Sequence, residues 1–216
     1  MFHNPWYVYG AGGLGAETLD ILKSVFERDK DSAPTLAFID DTACNTTIYG
    51  TPVHALEDCN TGKVTIAVGE PVVRKKLLER IAKSPLQLAT IIAPSAVISP
   101  NCDIKNGVII GPLCSVQSRA KIGTNVAVNT MAIIGHDVMV RANSVISSMV
   151  NLGGGVEIGE GSYVGMGALI KEGVTVGANS IVGMGAVVYQ NIPDGMIALG
   201  NPARVVRKNQ DQKVFK

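Results

Sequence analysis

Residues 92–140 read IAPSAVISPNCDIKNGVIIGPLCSVQSRAKIGTNVAVNTMAIIGHDVMV, and their spacing decides the fold of more than half the chain. Stepping by six from Ile92 lands on Ile98, Ile104, Ile110, Val116, Ile122, Val128, Ile134 and Val140. The series runs on through Ile146, Leu152, Ile158, Val164, Ile170, Val176, Val182 and Val188 without a break in register. An aliphatic every sixth residue marks short strands wound into a parallel β-helix, with one inward side chain per strand. Four residues after each aliphatic stands a second inward position, filled by small or medium residues such as Ala96, Cys102, Val108, Cys114 and Ala120. Three residues after each aliphatic, Gly, Asn or Asp occupies 12 of 17 positions. These types tolerate the positive φ of a tight corner. Three hexapeptides close one triangular coil, so positions 18 apart stack at about 4.8 Å, and residues 92–193 build between five and six coils.

The composition agrees. The chain has 216 residues with 24 Gly and only 5% aromatics, so its core is filled by many small aliphatic side chains. A net charge of +1 excludes the basic face that a nucleic-acid binder needs. No run of about 18 apolar residues predicts a membrane span, and the first residues, MFHNPWYVYG, do not resemble a signal peptide. Cys44, Cys59, Cys102 and Cys114 form no CxxC pair, so neither zinc nor a disulfide is expected; Cys102 and Cys114 read as core fillers.

The first ninety residues alternate strand, glycine turn and helix. Trp6–Tyr9 is a short apolar run ending in GAGGLG, Gly10–Gly15, and Leu14, Thr18, Leu19, Leu22, Val25 and Phe26 follow at helical spacing. Leu36–Ile39 ends in Asp40-Asp41, and Val64–Val68 ends at Gly69. Pro71 opens a helix whose Val72, Val73, Leu77, Leu78, Ile81 and Ala82 share a face, and a strand over Leu88–Ile92 leads into the solenoid. The pattern predicts a small Rossmann-like α/β domain over residues 1–90, followed by the β-helix domain with a C-terminal tail over 91–216. The glycine turn suits a phosphate at a helix N-terminus, or serves only close strand–helix packing. The two acids stand at the carboxyl end of a strand, where open α/β sheets bind ligands.

YGAGGLG, FIDD, AVGEPVVRKKL and a solenoid carrying IGHD, taken in this order, resemble the sialic-acid O-acetyltransferase and nucleotide-aminosugar N-acetyltransferase group of hexapeptide acyltransferases, including the bacillosamine and perosamine enzymes. IPDGMIALGNPARVVR, Ile192–Arg207, is similar to the segment that closes CoA-dependent members. The resemblance implies a left-handed β-helix and a cytoplasmic homotrimer with its active site between adjacent subunits. It implies acetyl-CoA as co-substrate and no metal. The N-terminal domain would hold the nucleotide end of the amino sugar, with Gly12, Asp40 and Asp41 in that role. Two histidines of the family pattern are absent, replaced by Leu14 in the glycine turn and Val145 in the solenoid.

Of His3, His54 and His136, the first two read as surface residues, and His136 takes a corner position two residues after Ile134. It is the expected general base toward an attacking amine or hydroxyl, with Asp137 fixing its tautomer. Adding 18 to His136 gives Gly154, whose N–H is the expected donor to the thioester carbonyl unless it is simply a corner glycine. Asn129, next to Thr130, is the candidate contact to the sugar. Met166 and Met184 line the pantetheine channel or pack between subunits. Arg204, Arg207 and Lys208 meet CoA phosphates or form a solvated tail. The expected activity is acetyl transfer to the amino group of a nucleotide-linked amino-deoxy sugar for a bacterial surface glycan. O-acetylation of a sialic-acid-like sugar, a non-catalytic nucleotide-binding trimeric scaffold and an NAD-dependent oxidoreductase are the alternatives; for the last, a second Rossmann half is lacking.

Overall fold

The computed structural model describes residues 4–27 and 33–215; His3 lies outside them. In the N-terminal domain, β1 (Trp6–Tyr9) leads through the glycine turn into α1 (Gly13–Phe26) and then β2 (Leu36–Ile39). A hairpin of β3 (Thr46–Ile48) and β4 (Thr51–His54), β5 (Lys63–Ile66), α2 (Pro71–Ile81) and β6 (Gln87–Leu88) complete it. The sheet order is β3-β4-β2-β1-β5-β6, and the core strands run parallel. The strand order therefore reverses between β1 and β5, which puts the ligand crevice of such a sheet at Gly10–Gly13 and Ala67–Glu70. The β3–β4 hairpin is an addition to the strand–turn–helix alternation that the sequence predicts. The strand expected over Leu88–Ile92 is divided in two. Leu88 instead ends the sheet and Ile91–Ile92 begins the solenoid, with the chain turning between them at Ala89 and Thr90.

The solenoid has three parallel sheets. The first runs from Ile91–Ile92 to Ile181–Val182, the second from Val97–Ile98 to Val187–Val188, and the third from Asp103–Ile104 to Thr175–Val176. Every pairing joins residues one coil apart, as in Ile110↔Val128 and Ile134↔Leu152. The aliphatics of the six-residue series stack along the axis with the small residues between them, giving one continuous dry core. Cys114 is buried there, Cys102 packs at its end, and all four cysteines are free thiols. A hairpin of Met196–Leu199 and Arg204–Lys208 closes the stack.

The corners depart from composition. Leu113, Arg119, Met131 and Met149 hold positive φ of 57–61° at the position that Gly, Asn and Asp otherwise fill. The frame of paired strands before and after each corner overrides the intrinsic cost, about 1–2 kcal/mol per residue.

The outer side of the first sheet is covered. Ile91, Ile109, Ala127 and Val145 are buried against Leu19, Ile21 and Leu22 of α1. Arg74 of α2 pins the junction. Its side chain is fully buried: Nε donates to Asn125 O (2.9 Å), Nη2 to Asn125 Oδ1 (2.8 Å), and Nη1 to Ile66 O (2.8 Å) and Val68 O (3.0 Å). Asn125 Nδ2 reaches both Arg74 O and Asn143 Oδ1. Burial pulls the guanidinium down to about 9, so it remains a cation at neutral pH, held by carbonyl dipoles rather than by a carboxylate.

Candidate active site

His136 stands at the corner between the second and third sheets, the corner opposite the first sheet and hence opposite the N-terminal domain. Its ring is exposed, and its Nδ1 lies 2.7 Å from Asp137 Oδ2. Asp137 has φ 59°, and its N–H donates to Ser118 O one coil below (3.0 Å). Arg119, also one coil below, forks onto the same carboxylate: Nε to Oδ1 at 2.6 Å and Nη2 to Oδ2 at 2.7 Å. Arg119 first, then His136, hold the Asp137 carboxyl well below the usual carboxylate range. An ionised carboxylate only accepts, so Nδ1 carries the proton and the neutral ring presents Nε2 as acceptor.

The ring approaches the next coil through Cε1 and Nε2. A Cβ built on Gly154 would come within 2.5 Å of His136 Cε1 and Nε2, so only glycine leaves room for this imidazole. Gly154 is not among the residues with positive φ; Gly155 is, at +69°. Gly155 N–H donates to His136 O (2.8 Å), whereas Gly154 N–H has no acceptor among the described residues. Such free N–H groups recur along the corner at Ser118 and Glu172. Gly154 is set apart because the side of its Cα that would carry a side chain faces His136 Cε1 and Nε2.

In the N-terminal domain the four glycines of GAGGLG divide by role. Gly10 (φ +108°) and Gly15 are structural: a Cβ at Gly15 would strike Gly10 O at 1.9 Å, and one at Gly10 would strike Ala67 O at 2.8 Å. Gly12 and Gly13 have open space and sit at the start of the 14-residue α1, where N–H groups and the helix dipole favour an anion. Asp40 Oδ2 accepts from Ala11 N–H (3.1 Å) and Oδ1 from the Thr42 hydroxyl (2.7 Å), so this acid shapes the glycine turn. Asp41 turns to the other side of the sheet, where it accepts from Tyr9 OH (2.8 Å) and pairs with Arg80, which also holds Glu57. The two acids thus do not act as one unit.

Asn129 Oδ1 is buried without a hydrogen-bond partner. Thr130 follows it, lining a groove of about 690 Å³ between α1 and the corner where the first sheet meets the second. Val145 and Leu14, which replace the family histidines, pack into the same apolar seam between the domains. His54 is half-buried, edge-on to Tyr7. Met166 and Met184 project at the first-to-second corner, away from His136 of the same chain, and Arg204, Arg207 and Lys208 lie on the exposed closing strand. Arg119 was missed in the sequence, although subtracting 18 from Asp137 reaches it.

Among the described residues no cluster of three or more His, Cys, Asp or Glu could hold a metal, and no helix is long and apolar enough to cross a membrane. The PglD N-terminal domain family matches residues 7–81, and the family described as bacterial transferase hexapeptide (six repeats) matches residues 155–190. No curated protein sequence matches. Among solved structures, a mutant of perosamine N-acetyltransferase from Caulobacter crescentus, in complex with CoA and GDP-perosamine, is 28% identical with a TM-score of 0.87 over 95% of this chain and 98% of that one. WeeI from Acinetobacter baumannii AYE is 31% identical, TM-score 0.87, over 94% of this chain and 99% of that one. The acetyltransferase domain of PglB from Neisseria gonorrhoeae FA1090 is also 31% identical, TM-score 0.87, over 94% of this chain and all (100%) of that domain, which has been solved with acetyl coenzyme A. With the solenoid, the glycine-turn domain and the His–Asp corner all in place, the chain belongs to the left-handed β-helix, hexapeptide-repeat acetyltransferases that carry a PglD-type N-terminal domain.

Proposed function

We propose that this protein transfers the acetyl group of acetyl-CoA to the amino group of a nucleotide-linked amino-deoxy sugar. The observation that carries the reading is the His136 imidazole, oriented by Asp137 and packed against Gly154 of the next coil. Acetyl-CoA supplies an activated thioester carbonyl. His136 Nε2 takes the proton that the amine loses as its nitrogen bonds to that carbon, and returns it to the departing thiolate sulfur. Asp137 holds the ring and stabilises the imidazolium. The Gly154 N–H donates to the carbonyl oxygen as it gains charge.

The glycine turn at Gly12 takes the phosphates, and Asp40 beside it faces the nucleoside. Asp41, tied to Arg80, supports the loop from behind. Asn129, half-buried beside the Thr130 groove with an unpaired Oδ1, turns its amide outward to accept from a donor on the sugar. Met184 and Arg204 contact the pantetheine arm and a CoA phosphate. The base lies on the far corner from its own nucleotide domain, which supports a homotrimer whose sites combine the acceptor domain of one subunit with His136 of the next; both proposed substrates, acetyl-CoA and an activated sugar, are cytoplasmic. Val97, Leu113, Met131, Ile133, Met149 and Leu169 form an exposed apolar band over the second sheet and its adjoining corner, suited to contact with such a neighbour.

The test is thiol release from acetyl-CoA with a panel of GDP-, UDP-, dTDP- and CMP-linked amino sugars. Turnover with one of them, and a His136→Ala loss of kcat of about 10²–10⁴-fold with acetyl-CoA binding retained, supports the reading. No turnover with any, or near-normal kcat in His136→Ala, refutes it.

A further inference from the structure

We propose that Arg119 is a positioning residue for the transfer reaction, acting through Asp137 on the His136 imidazole; the inference rests on His136 being the base. A carboxylate beside a corner histidine can turn about two side-chain bonds and leave the ring unsupported. Here the planar fork of Arg119 takes both carboxylate oxygens, at 2.6 and 2.7 Å, and fixes their plane. Oδ2 then stands 2.7 Å from His136 Nδ1. The Asp137 N–H is tied to Ser118 O, so backbone and side chain of Asp137 are both held by the coil below. The ring is held by Asp137 on one side and by Gly154 on the other, and Nε2 is aimed by three consecutive coils.

The arrangement has a chemical cost that argues for a functional purpose. Oδ2 is shared between Arg119 and His136, so the cation dilutes the negative charge that steadies the imidazolium. Within one chain the pair is exposed, with Arg119 64% and Asp137 43% accessible, and exposed ion pairs add little to the stability of that chain. What the fork supplies is geometry, which a lysine ammonium cannot reproduce because it is a point charge without a plane.

The experiment is a double-mutant cycle on the intact protein with the nucleotide sugar that supports turnover. Arg119→Gln is expected to lower kcat about tenfold, less than the roughly 10²-fold that a 1 Å misplacement of a reacting group costs. Both KM values and the melting temperature stay unchanged, and Arg119→Lys does not restore kcat. In an Asp137→Asn background, Arg119→Gln is expected to cost less than about twofold, because non-additivity marks residues that act through one another. Full additivity with Asp137→Asn, or rescue by lysine, overturns the proposal. A raised KM for acetyl-CoA at normal kcat also overturns it, because Arg119 would then be a ligand for CoA phosphate. His136→Ala is run alongside: if it keeps near-normal kcat, the base assignment itself has failed, whereas a loss there with additivity at Arg119 rejects only the positioning role.

Discussion

Two adjacent glycines at the active corner separate catalysis from stability. At Gly154 the backbone is not left-handed, but an added Cβ would sit 2.5 Å from His136 Cε1 and Nε2. Carbon contacts settle near 3.5–4.0 Å, so the ring must retreat by about 1 Å or more. Such a move stretches the 2.7 Å bond to Asp137 toward the limit of hydrogen bonding, about 3.5 Å. A 1 Å misplacement of a reacting group costs on the order of 10²-fold. Gly154→Ala is therefore expected to lower kcat about 10²-fold with an unchanged melting temperature. Gly155 has φ +69° and nothing within 4 Å of an added Cβ, so Gly155→Ala meets backbone strain alone, about 1–2 kcal/mol. For a chain of this size that lowers the melting temperature by about 2–8 °C, with kcat within about twofold. The assay is steady-state thiol release, paired with thermal unfolding at one protein concentration. Normal kcat in Gly154→Ala, or the same phenotype in both variants, would refute the close approach of ring and glycine as the working geometry.

Arg74→Leu leaves the carbonyls of Ile66, Val68 and Asn125 without their shared donor and is expected to cost about 1–3 kcal/mol for each carbonyl left buried and unpaired, read as loss of thermal stability; a change under about 1 kcal/mol contradicts the pin. Asp41 is held below its ordinary carboxyl value: burial raises it, but Arg80 and Tyr9 together lower it further. A depressed carboxyl adds stability above its unfolded value, about 3.9, and loses it as pH falls through the folded value. Melting temperature should therefore drop less between pH 7 and pH 3 in Asp41→Asn than in the parent, and an equal drop would count against the pairing. Mixing chains carrying His136→Ala with chains carrying Asp40→Ala, followed by re-assembly, should restore up to about a quarter of parental activity if each site draws on two subunits; no gain over either variant alone would place the whole site within one chain.

The solenoid was legible because its signal is arithmetic: a period of six sets the inward face and a period of 18 the stacking, and both survive any single odd residue. The same arithmetic sets Gly154 above His136, whereas His136 and Asp137 stand out through the IGHD motif and the family resemblance it carries. Arg119 belongs to no motif and shows only on stepping back 18 residues from Asp137. Arg74 was hidden for a different reason. On a helix whose apolar positions point to one face, an arginine followed by two lysines reads as solvent-facing, and only the folded arrangement brings Asn125 of the solenoid beside the Ile66 and Val68 carbonyls that make its burial tolerable. Leu113, Met131 and Met149 gave no sign of a left-handed corner, since that conformation is imposed by the coil rather than chosen by the residue. The divergence of Asp40 and Asp41 to opposite sides of the sheet follows from their adjacency at a strand end, where successive side chains alternate.

The two periods of the solenoid also govern which changes of chain length it can absorb. Removing one hexapeptide between Asp137 and Gly154 keeps every aliphatic inward, so the core survives. It turns everything downstream by one face, however, and the corner above His136 would no longer present Gly154. Removing or duplicating a whole 18-residue coil beyond Gly155 restores each corner to its column and alters only the height of the prism, by about 4.8 Å. Insertions and deletions that a packing criterion scores alike are therefore unlike for catalysis: the barrel accepts length in sixes, and the active corner only in eighteens.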